Sequence, residues 1–246
     1  MLLLALTIPA HADWATATVA ADSNPRAVAV NPVTNKIYVA NENSASVTVI
    51  NGINNDTITV AVESQPLAVA VNPVTNKIYV ANYGSNTVSV IDGTNNSTAN
   101  VAAGTNPSAI VVNPVTNKIY VANWSSNDVT VINGADNTVT TTVIVGDHPV
   151  AMAINPVTNN IYVVNSSSNN VTLIDGATND TTTVSVGDYP VAIAVNSATN
   201  KIYVVNADSN NVTVIDGTTN ATTTVATGKL PRAVAVNPAT NKIYVP

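Results

Sequence analysis

The sequence predicts an all-β propeller of four-stranded antiparallel blades, and three observations carry that prediction. A phrase that runs Ala27-Val28-Ala29-Val30-Asn31-Pro32 and closes on Ile37-Tyr38-Val39-Ala40-Asn41 returns at 68–82, 109–123, 151–165, 192–206 and 233–245. Its tyrosines, Tyr38, Tyr79, Tyr120, Tyr162, Tyr203 and Tyr244, stand 41, 41, 42, 41 and 41 residues apart. A period near 40 residues made of short apolar alternations belongs to propellers or solenoids. The third observation is compositional. No stretch has helical periodicity, and the apolar 46% of the chain is mostly Val, Ala and Ile, with Thr and Tyr suiting a pleated, half-buried surface.

Taken in order, the chain opens on Leu2-Leu3-Leu4-Ala5-Leu6-Thr7-Ile8, followed by Pro9 and Ala10-His11-Ala12. An apolar run before an A-x-A site reads as a secretory signal peptide, although the basic n-region is missing. Residues 1–12 are therefore expected to be a short, atypical leader, with Asp13 the first mature residue. The run is too short for a membrane span, which needs about 20 residues, and residues 13–246 form one propeller domain. Trp14–Val19 then reads as an orphan fourth strand.

The first complete unit supplies the pattern for the rest. Ala27–Val30 is an inner strand, small at alternate places where strands crowd an axis. Asn31-Pro32-Val33-Thr34-Asn35 is a turn, because Pro presets φ and Asn tolerates the left-handed region. Ile37–Asn41 is the second strand, Glu42–Ser46 a polar loop and Val47–Ile50 the third strand. Asn51-Gly52 signals a hairpin, and Thr57–Val62, with Thr against apolar residues, suits an outer strand with one solvated side.

The last unit provides only a first strand, Ala233–Val236, and a second, Lys242–Val245. Trp14–Val19 is expected to complete that sixth blade and so latch the ring. The unit still lacks a third strand, which predicts C-terminal truncation of a longer parent.

Tyr-Val-Ala-Asn or Tyr-Val-Val-Asn, after Ala-Val-x-Pro-type turns and before Val-x-Val-Ile-Asp-Gly, resembles the YVTN β-propeller repeat family, the surface-layer and YncE-like proteins of bacteria and archaea. The resemblance covers the chain from Trp14 onward. It implies a propeller, commonly of seven blades, in exported or surface-layer proteins, with some members linked to DNA binding. It carries over no catalytic residue set.

Charge and composition exclude several function classes. Without cysteine there is no disulfide framework, thiol nucleophile or thiolate metal site. A net charge of -6 with only eight Lys and Arg disfavours nucleic acid, since a DNA binder neutralises roughly 6–10 phosphates. His148 is the only histidine after the leader, so a His-rich metal centre is excluded. No Gly-x-Ser-x-Gly elbow is present, and the Asp-Gly turns lack the spaced acids of a calcium loop. No catalytic residue, metal or cofactor is expected.

Comparison of the six copies separates scaffold from individual positions. Asn31, Asn72, Asn113, Asn155, Asn196 and Asn237 read as caps of their own turns, and the tyrosines as packing between blades. Lys36, Lys77, Lys118, Lys201 and Lys242 form a series that Asn160 breaks, on a face where Asp56, Asp92, Asp136, Asp175, Asp180 and Asp216 offset them. The opposite, top face diverges from copy to copy in Arg26, Glu42, Tyr83, Trp124, His148, Tyr189, Asp208, Lys229 and Arg232. Loops on a rigid scaffold carry function, so these are the candidate binding residues. Ring closure would gather Arg26, Lys229 and Arg232 into one basic spot, while Tyr83, Trp124 and Tyr189 could stack on a sugar, a side chain or a base.

The expected function is an exported, non-catalytic scaffold, periplasmic, cell-surface or extracellular, bacterial or archaeal. It would be monomeric and bind an unidentified protein, glycan or small molecule at the top mouth. The alternatives are a propeller hydrolase or lactonase with a divalent metal, and a single-stranded DNA binder.

Overall fold

A computed structural model describes residues 17–246. The leader-like segment 1–12 and the first residues of the expected Trp14–Val19 strand lie outside the described residues.

Alternation of Val or Ile with small or polar residues produces short strands, and each Asn-rich segment between them turns the chain back. Blade I holds β1 (Pro25–Asn31), β2 (Lys36–Asn41), β3 (Ser46–Asn51) and β4 (Thr57–Ala61). Blade II holds β5 (Pro66–Asn72), β6 (Lys77–Asn82), β7 (Thr87–Asp92) and β8 (Thr98–Ala102). Blade III holds β9 (Pro107–Asn113), β10 (Lys118–Asn123), β11 (Asp128–Asn133) and β12 (Thr138–Ile144). Blade IV holds β13 (Pro149–Asn155), β14 (Asn160–Asn165), β15 (Asn170–Asp175) and β16 (Thr181–Ser185). Blade V holds β17 (Pro190–Asn196), β18 (Lys201–Asn206), β19 (Asn211–Asp216) and β20 (Thr222–Ala226). A last pair, β21 (Ala235–Asn237) and β22 (Lys242–Tyr244), begins a sixth.

Within each complete blade the strands are antiparallel and in sequence order, and the first strands of successive blades lie side by side. This is a propeller-type, all-β array, as the period predicts.

Period-2 alternation gives each blade two apolar faces, and the core lies between blades. Tyr38, Val47, Val49 and Val60 of blade I meet Ile78, Val80 and Ile91 of blade II, with Val69 and Val71 at the edge. Tyr120, Val129, Val131 and Val143 meet Ile161, Val163 and Ile174 one interface later. Burying one such aliphatic side chain contributes roughly 1.5–3 kcal/mol. Five of the six repeat tyrosines, Tyr38, Tyr79, Tyr120, Tyr162 and Tyr203, are interblade packing, as the sequence reading has it.

Ring burial also has a pH signature. Burial, reinforced at Tyr120 by the charge of Asp175, pushes the phenols of Tyr79 and Tyr120 up to about 12, and burial raises those of Tyr38 and Tyr162. These groups favour the folded chain fully below the ordinary tyrosine value and lose that contribution as pH climbs through their raised values. Unfolding followed by circular dichroism between pH 10 and 12 should therefore coincide with phenolate absorbance. Phenolate appearing well before loss of strand signal would contradict this burial.

Three details differ from the sequence reading. The sixth sheet contains β21 and β22 alone, and Ala17–Val19 forms no strand. An outer strand pairs only with a third strand in every complete blade, so without one it has no ladder to join. Val28 and Val30 remain 64% and 55% exposed on the face that later blades bury, and Tyr244 is 55% exposed at the other end.

The hairpin after β3 is present, but no glycine takes positive φ. Asn55 does, at 64°. Gly52 is required for a different reason: a Cβ there would sit 2.5 Å from Asn35 Oδ1. The extra residue behind the 42-residue spacing is a bulge in β12, where the register slips between Val131 and Ile132 and Thr140 donates its hydroxyl to Val131 O.

Candidate functional site

The top mouth is built by two kinds of loop, those leading into inner strands and those joining second to third strands. The first kind has one rule. The residue before each inner-strand proline takes positive φ: Asn24 57°, Gln65 54°, Asn106 57°, His148 53°, Tyr189 49° and Leu230 52°. From the third blade on, an asparagine of the preceding blade fixes that conformation. Asn86, Asn127, Asn169 and Asn210 accept from the backbone N–H of Asn106, His148, Tyr189 and Leu230 at 2.8, 2.9, 3.0 and 2.8 Å. The carbonyl of the same residue accepts from its own blade, as Ser166 N–H to His148 O at 3.0 Å. Both backbone groups are occupied and the side chain is left to point elsewhere.

Asn, Gln and Asn occupy this position in the first three blades, whereas His148, Tyr189 and Leu230 follow. A left-handed backbone costs a residue other than glycine roughly 1–2 kcal/mol, with Asn the least affected. Three bulky side chains in succession are therefore held at the mouth against a local preference.

His148 lies flat against Trp124 of blade III, ring centroids 4.1 Å apart and planes 17° from parallel. Its Nδ1 is 2.6 Å from Ser167 Oγ in blade IV, so the imidazole bridges two blades. Nε2 has no hydrogen-bond partner among the described residues. The carboxylate of Asp147, next to His148 in sequence, accepts from Asn127 Nδ2 at 3.1 Å.

The remaining candidates divide clearly. Tyr189 is 44% exposed and Tyr83 half-buried. Arg26 does not join Lys229 and Arg232 in a basic spot through any observed contact: it pairs with Glu42 at 3.1 Å, and Glu42 also accepts from Asn24 Nδ2 at 2.7 Å. Lys229, Arg232 and Asp208 are exposed.

Several acids of the top-face loops and the strands beside them are engaged. Asp22 accepts from Ser46 Oγ at 2.7 Å, Glu63 from Asn100 Nδ2 at 2.7 Å, and Asp128, itself buried, from Asn123 Nδ2 at 2.6 Å. Among the described residues, no three or more His, Asp or Glu converge as metal ligands would. What remains available is a set of rings, chiefly Trp124–His148 and Tyr189.

Sequence reasoning missed Ser167 and the latching asparagines Asn127 and Asn169. For the asparagines the signal available was their recurrence 21 or 22 residues ahead of a proline, as Asn86, Asn127, Asn169 and Asn210; Ser167 has no such recurrence.

Fold and site together define a propeller-type repeat scaffold that displays side chains from one rim. No protein-family model matches the chain, and no curated protein matches it. Among solved structures it is similar to one titled Kuenenia stuttgartiensis Hydrazine Synthase, with a TM-score of 0.77 and 22% identity over 95% of this chain and 77% of that one. At that identity the likeness shows the fold alone.

Proposed function

We propose that this protein is an exported, non-catalytic propeller of the YVTN type that binds a partner at its top mouth through stacked rings. The observation that carries the reading is the Trp124–His148 pair, 4.1 Å apart and spanning two blades, together with the exposed Tyr189 at the equivalent loop position one blade on. Ring faces held on rigid loops recognise planar or apolar ligand surfaces with little ordering cost. Sugar rings and aromatic or aliphatic side chains of a surface partner present such surfaces. Export rests on the leader-like residues 1–12 and the YVTN reading on the repeated Tyr-Val-x-Asn.

The test uses the full gene product recovered from its native cell. Recovery outside the cytoplasm with Asp13 as N-terminus supports export; a retained residue Met1 in the cytoplasm overturns it. A panel of cell-wall oligosaccharides and surface-protein peptides is then screened by calorimetry. Changing Trp124 and Tyr189 together to Ala should weaken any binding about tenfold or more, the scale of one lost anchor of about 1.4 kcal/mol, with thermal unfolding nearly unchanged. Unaltered binding by the double variant would remove the site from the top mouth.

A further inference from the structure

The opposite face contains a different site, independent of the one above. The first three lysines of the interrupted series reach from their own second strand to the hairpin of the next blade, whereas Lys201 pairs with Asp216 of its own blade at 2.7 Å. Lys36 Nζ donates to Gly93 O at 2.7 Å, Lys77 to Gly134 O at 2.8 Å and Lys118 to Gly176 O at 2.7 Å. Lys77 also donates to Asn137 Oδ1 at 3.2 Å. The fourth position is Asn160, too short for that reach, and its acceptor would be Gly217 O of blade V.

A cavity of about 280 Å³ lies there, lined among others by Asn160, Asp175, Asp180, Gly217 and Asn220. It matches the Lys77 site position by position: Lys77, Asp92, Ser97 and Asn137 line the sister cavity, which measures about 190 Å³. The larger void is where a lysine stem and ammonium would lie. Asn220 Oδ1, the counterpart of the Asn137 oxygen bound by Lys77, is buried without a hydrogen-bond partner, as are the equivalent oxygens of Asn96 and Asn179.

Charge points the same way. In sequence each other complete blade carries one hairpin carboxylate and one lysine of its own: Asp56 and Lys36, Asp92 and Lys77, Asp136 and Lys118, and Asp216 and Lys201. Blade IV has two, Asp175 and Asp180, and no lysine. Lys118 is engaged at Gly176 O and does not line the cavity.

We infer that the cavity between blades IV and V binds a linear primary alkylammonium group, the head donating to Gly217 O and Asn220 Oδ1 and neutralised by Asp175 and Asp180. Charge-assisted hydrogen bonds of this kind are about twice as strong as neutral ones. The room for a stem, floored by Leu173 and Thr182, favours an aminoalkyl chain over a bare ion. That chain is either a free amine or the lysine side chain of a partner.

The test is calorimetry and thermal unfolding of the full chain with n-butylammonium, tetramethylammonium or potassium chloride at equal ionic strength. Saturable stabilisation by n-butylammonium alone is expected, since tetramethylammonium has no N–H to donate. Asn160→Lys should fill the cavity, raise the unfolding temperature and abolish the response. Asp180→Asn, in an exposed turn, should keep the fold and weaken binding about tenfold. Tighter binding of Nα-acetyl-lysine-N-methylamide than of n-butylammonium would identify a partner's lysine as the source, and the reverse a free amine. Equal effects of the three salts, or an undiminished response in Asn160→Lys, would overturn the proposal.

Discussion

Tyr120→Ala should lower unfolding free energy by about 3–5 kcal/mol, the usual cost of deleting a buried aromatic ring. Tyr120 is fully buried and closes the interface between blades III and IV. In a repeat array each unit depends on its neighbours, so the loss should weaken that interface first. Two controls make the result specific. Tyr120→Phe should be neutral or slightly stabilising, because the hydroxyl is buried without a partner and removing it relieves a desolvation cost. Tyr244→Ala, at the same place in the repeat but 55% exposed, should stay within about 0.5 kcal/mol. Urea unfolding midpoints of the three variants decide it, and equal losses at Tyr120 and Tyr244 would refute the packing account.

A second large effect is expected at Asn113, which is fully buried. Its Oδ1 accepts from Val115 N–H at 3.0 Å and Thr116 N–H at 3.3 Å. Its Nδ2 donates to Asn159 Oδ1 of blade IV at 2.7 Å. Asn113→Ala should cost about 2–3 kcal/mol, because partners are left without bonds where water is scarce. Asn113→Asp keeps the acceptor and loses the donor. A protonated carboxyl can donate to Asn159 and an ionised one cannot, so its destabilisation should shrink on acidification relative to the parent chain. A pH-independent defect would show that the amide bridge contributes little.

The asparagine ring also shows how far the sequence could be read. The expectation that each caps its own turn holds for Asn31, Asn72, Asn113, Asn155, Asn196 and Asn237. The other half of each amide was not legible. Asn31, Asn72, Asn155 and Asn196 donate to Asn76, Asn117, Asn200 and Asn241 at 2.9, 2.8, 2.9 and 2.9 Å, partners some 45 residues away. A turn is local and its residue preferences are visible in five letters. A bond across blades depends on how two sheets are set side by side.

The candidate site divides along the same line. Trp124 and His148 stood out in sequence as individual residues on one rim, but 24 positions separate them and nothing in the letters stacks one on the other. Left-handed backbone at His148, fixed by Asn127, turns the imidazole onto the indole. Arg26 shows the same: its place on the rim was legible, but its ion pair with Glu42 of its own blade was not.

Sequence by itself determined the strand count per unit, the inward and outward faces and the turn positions, because these follow from period-2 patterning and local turn chemistry. It also showed one extra residue in the third unit and one missing lysine in the fourth. Only the tertiary structure decided what these two irregularities mean. The extra residue became a bulge because the ladder around it was already in register, and at the position of the missing lysine the cavity is larger than its counterpart beside Lys77, about 280 against 190 Å³, because a short amide fills less of the space than a lysine stem.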